Sequence, residues 1–257
     1  TVSGNEQVGF YGLAYSLAAV CFLFTSAMTP IFIREFSSLY EKKNTEEMRR
    51  MFYKYAPMLY AIAAYFGIFI SMQSENIITI FADERFKEAY LALVIMAFYP
   101  LHQTYGQLSG GIMYATGQTK LIRNIGVLSM GIGSFLSFTL VFLFSLGAEG
   151  LAYKMLLGQI VWVNIQLYFN SKLLNFKMRY FVFHQFYAIV FFLVLAYLSS
   201  VNSYYNSPLL NVFFSGFIYT ILTAIFIYAI PQVAATTREE IRKFLQYNFN
   251  KVKSWII

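Results

Sequence analysis

Charged side chains are scarce in this sequence: Asp, Glu, Lys and Arg make up 12% of its 257 residues, about half of their usual share in soluble domains. The single cysteine, Cys21, excludes an internal disulfide and a cysteine metal cage. Two histidines, His102 and His184, leave little for a histidine metal site. The sequence also lacks a nucleophile elbow, a phosphate-binding loop and a zinc-protease motif. We therefore expect no metal, no cofactor and no enzymatic activity.

Apolar residues dominate instead, at 58% of the chain with a mean hydropathy of +0.56, and 28 Phe and 21 Tyr exclude disorder. Because a spanning helix needs about 20 apolar residues, the uncharged stretches predict an all-α, polytopic transmembrane helix bundle with about seven spans. A net charge of +7 in such a chain indicates a membrane surface rather than nucleic acid. The predicted spans are 7–33, 55–74, 89–119, 124–148, 150–170, 180–200 and 209–230.

Positive charges alternate between the two ends of these spans. Sixteen of the 19 Lys and Arg residues fall in alternate connections and the C-terminal tail, two fall in the other connections, and Lys154 lies inside the fifth span. Because cytoplasmic segments carry the excess of Lys and Arg, we expect the N-terminus outside and the C-terminus in the cytoplasm. The chain starts at Thr1 with no basic signal segment. Because an outside N-terminus without a signal segment is unusual, we expect a fragment from which an odd number of preceding spans is missing, rather than a natural seven-helix protein with a trimmed start.

Three local signals divide the chain between spans. Asn44 fits the N-cap of a short cytoplasmic helix in which Glu46 precedes Arg50 by four residues, a spacing that favours an ion pair. Pro57 fits the opening of the second span, where a missing N–H costs little. The polar run 202–208 predicts a turn between the sixth and seventh spans.

The segment after Pro231 is predicted to form a basic amphipathic helix. Thr237 and Glu240 have the spacing of a capping box. We expect two units, a transmembrane lobe over 1–235 and a cytoplasmic helix over 236–257 that lies on the anionic inner leaflet. A partner protein is the alternative neighbour for this helix. Its apolar face comprises Ile241, Phe244, Leu245, Val252, Trp255 and Ile256.

The third span carries the densest set of polar residues. Pro100 should kink this helix, Gln103 and Gln107 share a face one turn apart, and Gly106 and Gly110 have the spacing that allows close helix packing. Two interpretations stay open. In the first, a bent helix lines a watery cavity in which His102 and both glutamines contact a polar substrate. In the second, the glutamines only bond neighbouring helices, and His102 is a satisfied core histidine.

The fifth span has a polar stripe formed by Gln159, Gln166 and Asn170, which fall on one helical face. Lys154 lies off this stripe. It either faces a cavity and attracts an anion, or extends to the outer headgroups and pairs with Glu149. Carboxylates are absent from the predicted spans, which argues against a proton site in them.

The connection between the third and fourth spans contains two cations and no acid. Lys120 and Arg123 lie there on the side predicted to be cytoplasmic. Their charge suits contact with a phosphate group that enters from the inner leaflet. Anchoring of the topology alone is the equally weighted alternative.

The stretch 83–174 resembles the later half of bacterial lipid-linked oligosaccharide flippases, within the multidrug/oligosaccharidyl-lipid/polysaccharide exporter superfamily. The strings that carry the resemblance are Glu84-Arg85-Phe86, Met96-Ala97-Phe98-Tyr99-Pro100, His102-Gln103-Thr104-Tyr105-Gly106-Gln107, Ala115-Thr116-Gly117, Arg123-Asn124-Ile125-Gly126, Ala152-Tyr153-Lys154 and Asn164-Ile165-Gln166.

This resemblance implies the second, seven-helix lobe of a 14-helix transporter, facing an N-terminal lobe across a central cavity. Such a protein would flip undecaprenyl-pyrophosphate-linked oligosaccharide repeats across the inner membrane by alternating access, for O-antigen, lipopolysaccharide or other surface polysaccharide. Lys154 and Arg123 are candidate contacts for the anionic headgroup. Three alternatives are a multidrug exporter of the same superfamily, a membrane glycosyltransferase or polymerase, and a structural membrane scaffold.

Overall fold

The computed structural model describes residues 4–200 and 207–256, with side chains up to Asn248. The regular structure of this part of the chain is all helical and covers about 90% of it. The α-helices, in chain order α1 to α11, are Gly4–Ala19, Leu23–Glu41, Thr45–Met72, Ser74–Phe81, Ala89–Met96, Tyr99–Ala115, Thr119–Ser137, Gly147–Leu173, Met178–Ser200, Pro208–Ala229 and Arg238–Ile256. Short 3-10 segments cover Val20–Phe22, Glu84–Phe86 and Pro231–Ala234, and a π-helical segment, Phe138–Leu143, extends α7.

Five helical segments in the described part of the chain are long and apolar enough to cross a membrane. They are Gly4–Glu41, Thr45–Met72, Thr119–Leu143, Met178–Ser200 and Pro208–Ala229. The all-helical fold is therefore confirmed, and the five long apolar helices are compatible with a multi-pass membrane protein. The other two stretches predicted as spans have a different form. The third is divided into α5 and α6, and the fifth is the 27-residue α8, which carries the polar stripe along its length.

The second predicted span and the helix before it form one continuous helix, α3. Pro57 lies inside α3 rather than at its start, so the prediction of two separate elements was wrong. The Asn44 cap is confirmed, because its side-chain oxygen accepts a hydrogen bond from the Glu47 N–H at 3.1 Å. The pairing differs from the expected one: Arg50 binds Glu47 at 2.9 Å, three residues back, rather than Glu46.

The third predicted span is interrupted just before Pro100. The α-helical pattern stops at Ala97 and Phe98, and Pro100 is the second residue of α6. Gly67 of α3 packs against this interruption, since a Cβ built there would lie 2.6 Å from the Ala97 carbonyl oxygen. The absence of a side chain at Gly67 thus lets α3 approach the backbone between α5 and α6.

Two buried clusters hold the bundle together. The larger one packs α2, α3, α6, α8 and α9 around Tyr60, Tyr105, Phe52 and Phe181. The smaller one joins α1, α4, α5 and the start of α8. In contrast, α7 and α10 bury only a minor part of their surface. A large apolar area of these two helices is thereby left exposed.

The chain after α10 follows its sequence signals closely. Helix α10 ends at Ala229, before Pro231, and the capping box is confirmed by reciprocal hydrogen bonds of 3.2 Å between Thr237 and Glu240. Glu240 also accepts a 2.6 Å ion-pair contact from Lys54 of α3. The hydrogen bond from this lysine lowers the pKa of the Glu240 carboxyl below its ordinary value of 4.5.

The expected apolar face of α11 is only partly described. Phe244 and Leu245 are 67% and 57% exposed, respectively. The side chains of Val252, Trp255 and Ile256 lie outside the described residues, and so do residues 202–206 of the turn predicted over 202–208. Contact of α11 with the inner leaflet stays a prediction.

Candidate functional site

An open cavity of about 520 Å³ lies between α6, α7 and α8. Its walls come from three of the predicted membrane elements, and most of the side chains that reach it are polar or small. These lining residues are Tyr99, Gln103, Ser129, Met130, Gly133, Ser134, Ser137, Lys154, Met155, Gly158, Gln159 and Trp162.

The α7 wall is formed by a row of small residues. Ser129, Gly133 and Ser137 recur every four positions and therefore lie on one helical face, with Ser134 beside them. The Lys154 stem packs against α7 at Gly133, where its Cε lies 3.7 Å from a Cβ built on that residue, an ordinary van der Waals distance. The spacing of these small residues leaves the space that the cavity occupies.

Most of the polar side chains that line this cavity have no hydrogen-bond partner in the described part of the chain. Gln103, Ser129, Ser134, Ser137 and Lys154 form no hydrogen bond or ion pair with any described residue. Elsewhere in the helices, many Ser and Thr hydroxyls bond the carbonyl four residues back, as in Ser16, Ser37, Thr79 and Thr116. The cavity hydroxyls do not use that route in the described structure, so they are free to bind water or a polar ligand.

Gln159 adds a buried donor at the same place. Its side chain is 9% exposed, and its amide nitrogen has no partner among the described residues. The amide lies against α6 because Gly106 leaves room for it: a Cβ at Gly106 would meet the Gln159 nitrogen at 2.8 Å. An amide without a partner is costly in an apolar medium, and this nitrogen is buried against α6, so a ligand in the cavity would bond it only after the side chain rotates.

Lys154 is the one formally charged side chain that lines the cavity. The predicted pairing with Glu149 is absent from the described ion pairs, and the lysine faces the cavity instead. A cation with no acid beside it favours an anionic group. The serine hydroxyls and glutamine amides can donate and accept hydrogen bonds with the hydroxyl groups of a sugar, and the Trp162 ring provides an apolar surface against which a sugar ring can pack.

The structure brings together only three of the seven residues predicted to bind substrate, namely Gln103, Lys154 and Gln159. Gln107 points toward α2, where its oxygen accepts a hydrogen bond from Thr29. Arg123 is exposed near the start of α7, with its Nη2 3.5 Å from the Asn124 side-chain oxygen.

His102 and Gln166 are bonded inside the bundle rather than at the cavity. His102 is 5% exposed, and its Nδ1 lies 3.1 Å from Oε1 of Gln185 in α9. The Gln166 amide, in the orientation that satisfies both of its polar atoms, donates to the Gly106 carbonyl at 3.0 Å and accepts from Trp162 at 2.9 Å. The His102 contact agrees with its interpretation as a satisfied core histidine, whereas Gln166, predicted to bind substrate, is bonded to α6 and to Trp162 of its own helix.

The three predicted hinge residues, Pro100, Gly106 and Gly110, differ in the contacts that they make. Pro100 follows the interruption between α5 and α6, and Gly106 mediates the contact with α8. Gly110 does not have the predicted close contact, because a Cβ built there would meet no described atom within 4 Å. Its neighbour Gly111 has that contact, because a Cβ built there would lie 3.3 Å from Cγ1 of Ile33 in α2.

Sequence reasoning missed the α7 wall and the two aromatic residues of the cavity, Tyr99 and Trp162. The repeat of Ser129, Gly133 and Ser137 at intervals of four was a usable signal, because three small or polar residues on one face of an apolar helix need an explanation. His, Cys, Asp and Glu side chains do not cluster into a candidate metal site in the described part of the chain.

Comparison of the chain with protein-family models, curated proteins and solved structures finds no match in any of the three.

Proposed function

We propose that this chain is part of a bacterial inner-membrane transporter that flips undecaprenyl-pyrophosphate-linked oligosaccharide repeats for surface polysaccharide synthesis. The observation that carries the proposal is the cavity between α6, α7 and α8, whose hydroxyls, amides and single cation have no protein partner in the described structure. An unpaired polar group costs about 2–7 kcal/mol in an apolar medium. A polar headgroup that passes through the bilayer also loses its hydrogen bonds to water. Hydrogen bonds between the headgroup and the cavity side chains would therefore reduce the cost for both.

The size and charge of the cavity favour a sugar phosphate headgroup. A volume of about 520 Å³ lies within the range of about 300–1,000 Å³ that is typical of small-molecule sites. It accommodates part of a headgroup and leaves the lipid tail in the bilayer. Lys154 would contact the pyrophosphate, while Gln103, Gln159 and the α7 serines would bond sugar hydroxyls.

The proposal includes seven crossings, with the N-terminus outside and the C-terminus in the cytoplasm. The alternation of positive charge supports this topology. The 27 residues of α8 extend about 40 Å, which is enough to cross the bilayer. Helices α5 and α6 together would supply the remaining crossing. A second helical lobe would cover the open side of the cavity.

Single-cysteine labelling tests the topology. In a Cys21→Ala background, Lys43→Cys and Lys177→Cys are expected to react with a membrane-impermeant reagent only from the cytoplasmic side. Both positions are exposed, so burial does not limit the reaction. Labelling of the two cysteines from opposite sides would refute seven crossings.

Matched substitutions test the transport function. In cells that depend on this protein, Lys154→Gln should reduce flipping about tenfold or more, because a bond to a charged group is worth about 1.5–3 kcal/mol. Gln103→Leu should reduce it about two- to tenfold, because a bond between neutral groups is worth about 0.5–1.5 kcal/mol. Untranslocated lipid-linked repeat would then accumulate. Lys172→Gln is the control for the lysine, since it changes the same residue type outside the cavity. Gln107→Leu removes the hydrogen bond from Thr29 and so measures the effect of a lost helix contact outside the cavity.

Three outcomes would contradict this function. The first is normal flipping in the Lys154 and Gln103 variants at unchanged protein level. The second is an equal defect in the control variants, which would indicate damage to folding. The third is efflux of a cationic dye that depends on the cavity residues, which would favour the multidrug exporter. The cavity cation and the lack of a lining carboxylate argue against that alternative.

A further inference from the structure

A second cavity, of about 590 Å³, lies beside the start of α9 and shares no lining residue with the first one. One wall is the face of α9 that begins at its first turn. The other is the 3-10 segment Pro231–Ala234 that follows α10. The groove is lined by Lys177, Arg179, Tyr180, Phe183, His184, Tyr187 and Gln232.

The head of this groove is cationic. Lys177 and Arg179 are both exposed, and neither forms an ion pair with a described residue. No acidic side chain is among the residues that line the groove. Gln232 contributes an exposed amide on the opposite wall. Two unpaired cations and an amide are donors for a phosphate group.

The groove continues from these cations along an apolar stripe. Tyr180, Phe183 and Tyr187 follow one another at intervals of three and four residues, so they lie on one face of α9. Phe183 is 72% exposed. From Arg179 to Tyr187 the helix rises about 12 Å, which separates a charged end from an apolar end.

The two walls are fixed relative to each other. His184 of α9 lies 2.8 Å from the Val233 carbonyl oxygen through its Nε2 and 3.0 Å from the Tyr105 hydroxyl through its Nδ1. The Lys177 backbone N–H donates to the Tyr53 hydroxyl at 3.2 Å, which holds the start of the groove on α3. The groove is thus part of the packed bundle.

We infer that this groove binds one anionic phospholipid, with its phosphate on Lys177 and Arg179 and an acyl chain along Phe183 and Tyr187. The occupant is a lipid rather than a soluble phosphate because the cationic end leads directly into an exposed apolar stripe. The cations lie on the side of the bundle with the excess of Lys and Arg, so the lipid belongs to that leaflet. The inference does not depend on the proposed transport function.

Lipid binding to the purified, delipidated chain in neutral detergent tests this inference. Native mass spectrometry would measure the dissociation constants of phosphatidylglycerol and phosphatidylcholine. The double variant Lys177→Gln/Arg179→Gln should weaken phosphatidylglycerol binding about thirtyfold, or about 2 kcal/mol for two cations. Phe183→Ala should weaken it about fivefold through lost apolar contact. The control Lys42→Gln/Lys43→Gln removes the same charge at the end of α2, outside the groove, and should change it less than twofold.

The outcomes separate a built site from general attraction. Equal losses in the two double variants would overturn the inference, because bulk charge would then explain the binding. Unchanged binding in the Phe183 variant, or competition by glycerol 3-phosphate at the affinity of the lipid, would overturn it by removing the role of the acyl chain. Equal affinity for phosphatidylcholine would overturn the anionic selectivity. The melting temperatures of the lipid-free variants should match that of the unchanged chain.

Discussion

Replacement of Gly67 by alanine tests the contact between α3 and the interruption that separates α5 from α6. The new Cβ would lie 2.6 Å from the Ala97 carbonyl oxygen, well inside van der Waals contact. A backbone carbonyl at the end of a helix cannot rotate away as a flexible side chain can, so α3 or the junction must move. Overpacking of this kind costs about 1–3 kcal/mol, and we expect the upper part of that range.

Gly110→Ala is the matched control for this prediction. It makes the same substitution in a helix, but the new Cβ would meet no described atom within 4 Å. Both variants gain about 0.8–1.0 kcal/mol of helix propensity over glycine, so the difference between them isolates the contact. The measurement is the free energy of unfolding of each purified variant in a mixed-detergent titration. Stabilities within about 0.5 kcal/mol of each other would refute the close approach of α3.

Three further outcomes are expected. Gly106→Ala should lower the free energy of unfolding by about 1 kcal/mol, less than Gly67→Ala does. The reason is that the new Cβ meets the end of the flexible Gln159 side chain at 2.8 Å rather than a backbone atom. The same unfolding assay measures this loss. Tyr105→Phe should lower the free energy of unfolding by about 1–3 kcal/mol, since it removes the 3.0 Å hydrogen-bond partner of buried His184. Tyr60→Phe should lower it less, because the Tyr60 hydroxyl lies 3.5 Å from its acceptor. Equal losses in the two variants would contradict the stronger bond of Tyr105. The exposed ion pair of Glu240 lowers the pKa of this carboxyl and should stabilise the docking of α11 by about 0.2–1 kcal/mol above pH 4.5. This stabilisation should be lost as the pH falls through the lowered pKa. A distance measured between labels on α3 and α11 should lengthen over that pH step, and should not change with pH in Glu240→Gln.

Helix ends and caps were predictable because their causes are local. Asn44, Thr237 and Pro231 act through backbone groups within three or four residues of themselves, and the structure places all three in their expected roles. Pro57 was misplaced for the opposite reason. The sequence around it cannot show that packing on both sides of the proline stabilises one continuous helix despite the lost hydrogen bond.

The site was only partly predictable, because periodicity identifies a face but not the neighbour of that face. Gln103 and Gln107 lie one turn apart on α6, yet the first lines the cavity while the second bonds α2. Helix α6 is packed between α2 and α8, so a difference of about 40° in direction is enough to change the neighbour. Only the tertiary arrangement decides between these two environments.

The polar stripe of α8 shows what separates a helix-bonding residue from a cavity residue. Asn170 and Gln166 both reach backbone carbonyls of α6, at Ser109 and Gly106, so their polar groups are satisfied within the bundle. Gln159 lies on the same face but keeps an amide nitrogen without a described partner. Because an apolar surrounding penalises such a group, rotation of this amide from α6 toward the cavity would let a polar occupant satisfy it. The α7 serines also lack a described partner but are partly exposed at the cavity. Substitutions to apolar residues of similar size along this wall are therefore expected not to lower the stability of the ligand-free protein, while they weaken binding of a polar ligand.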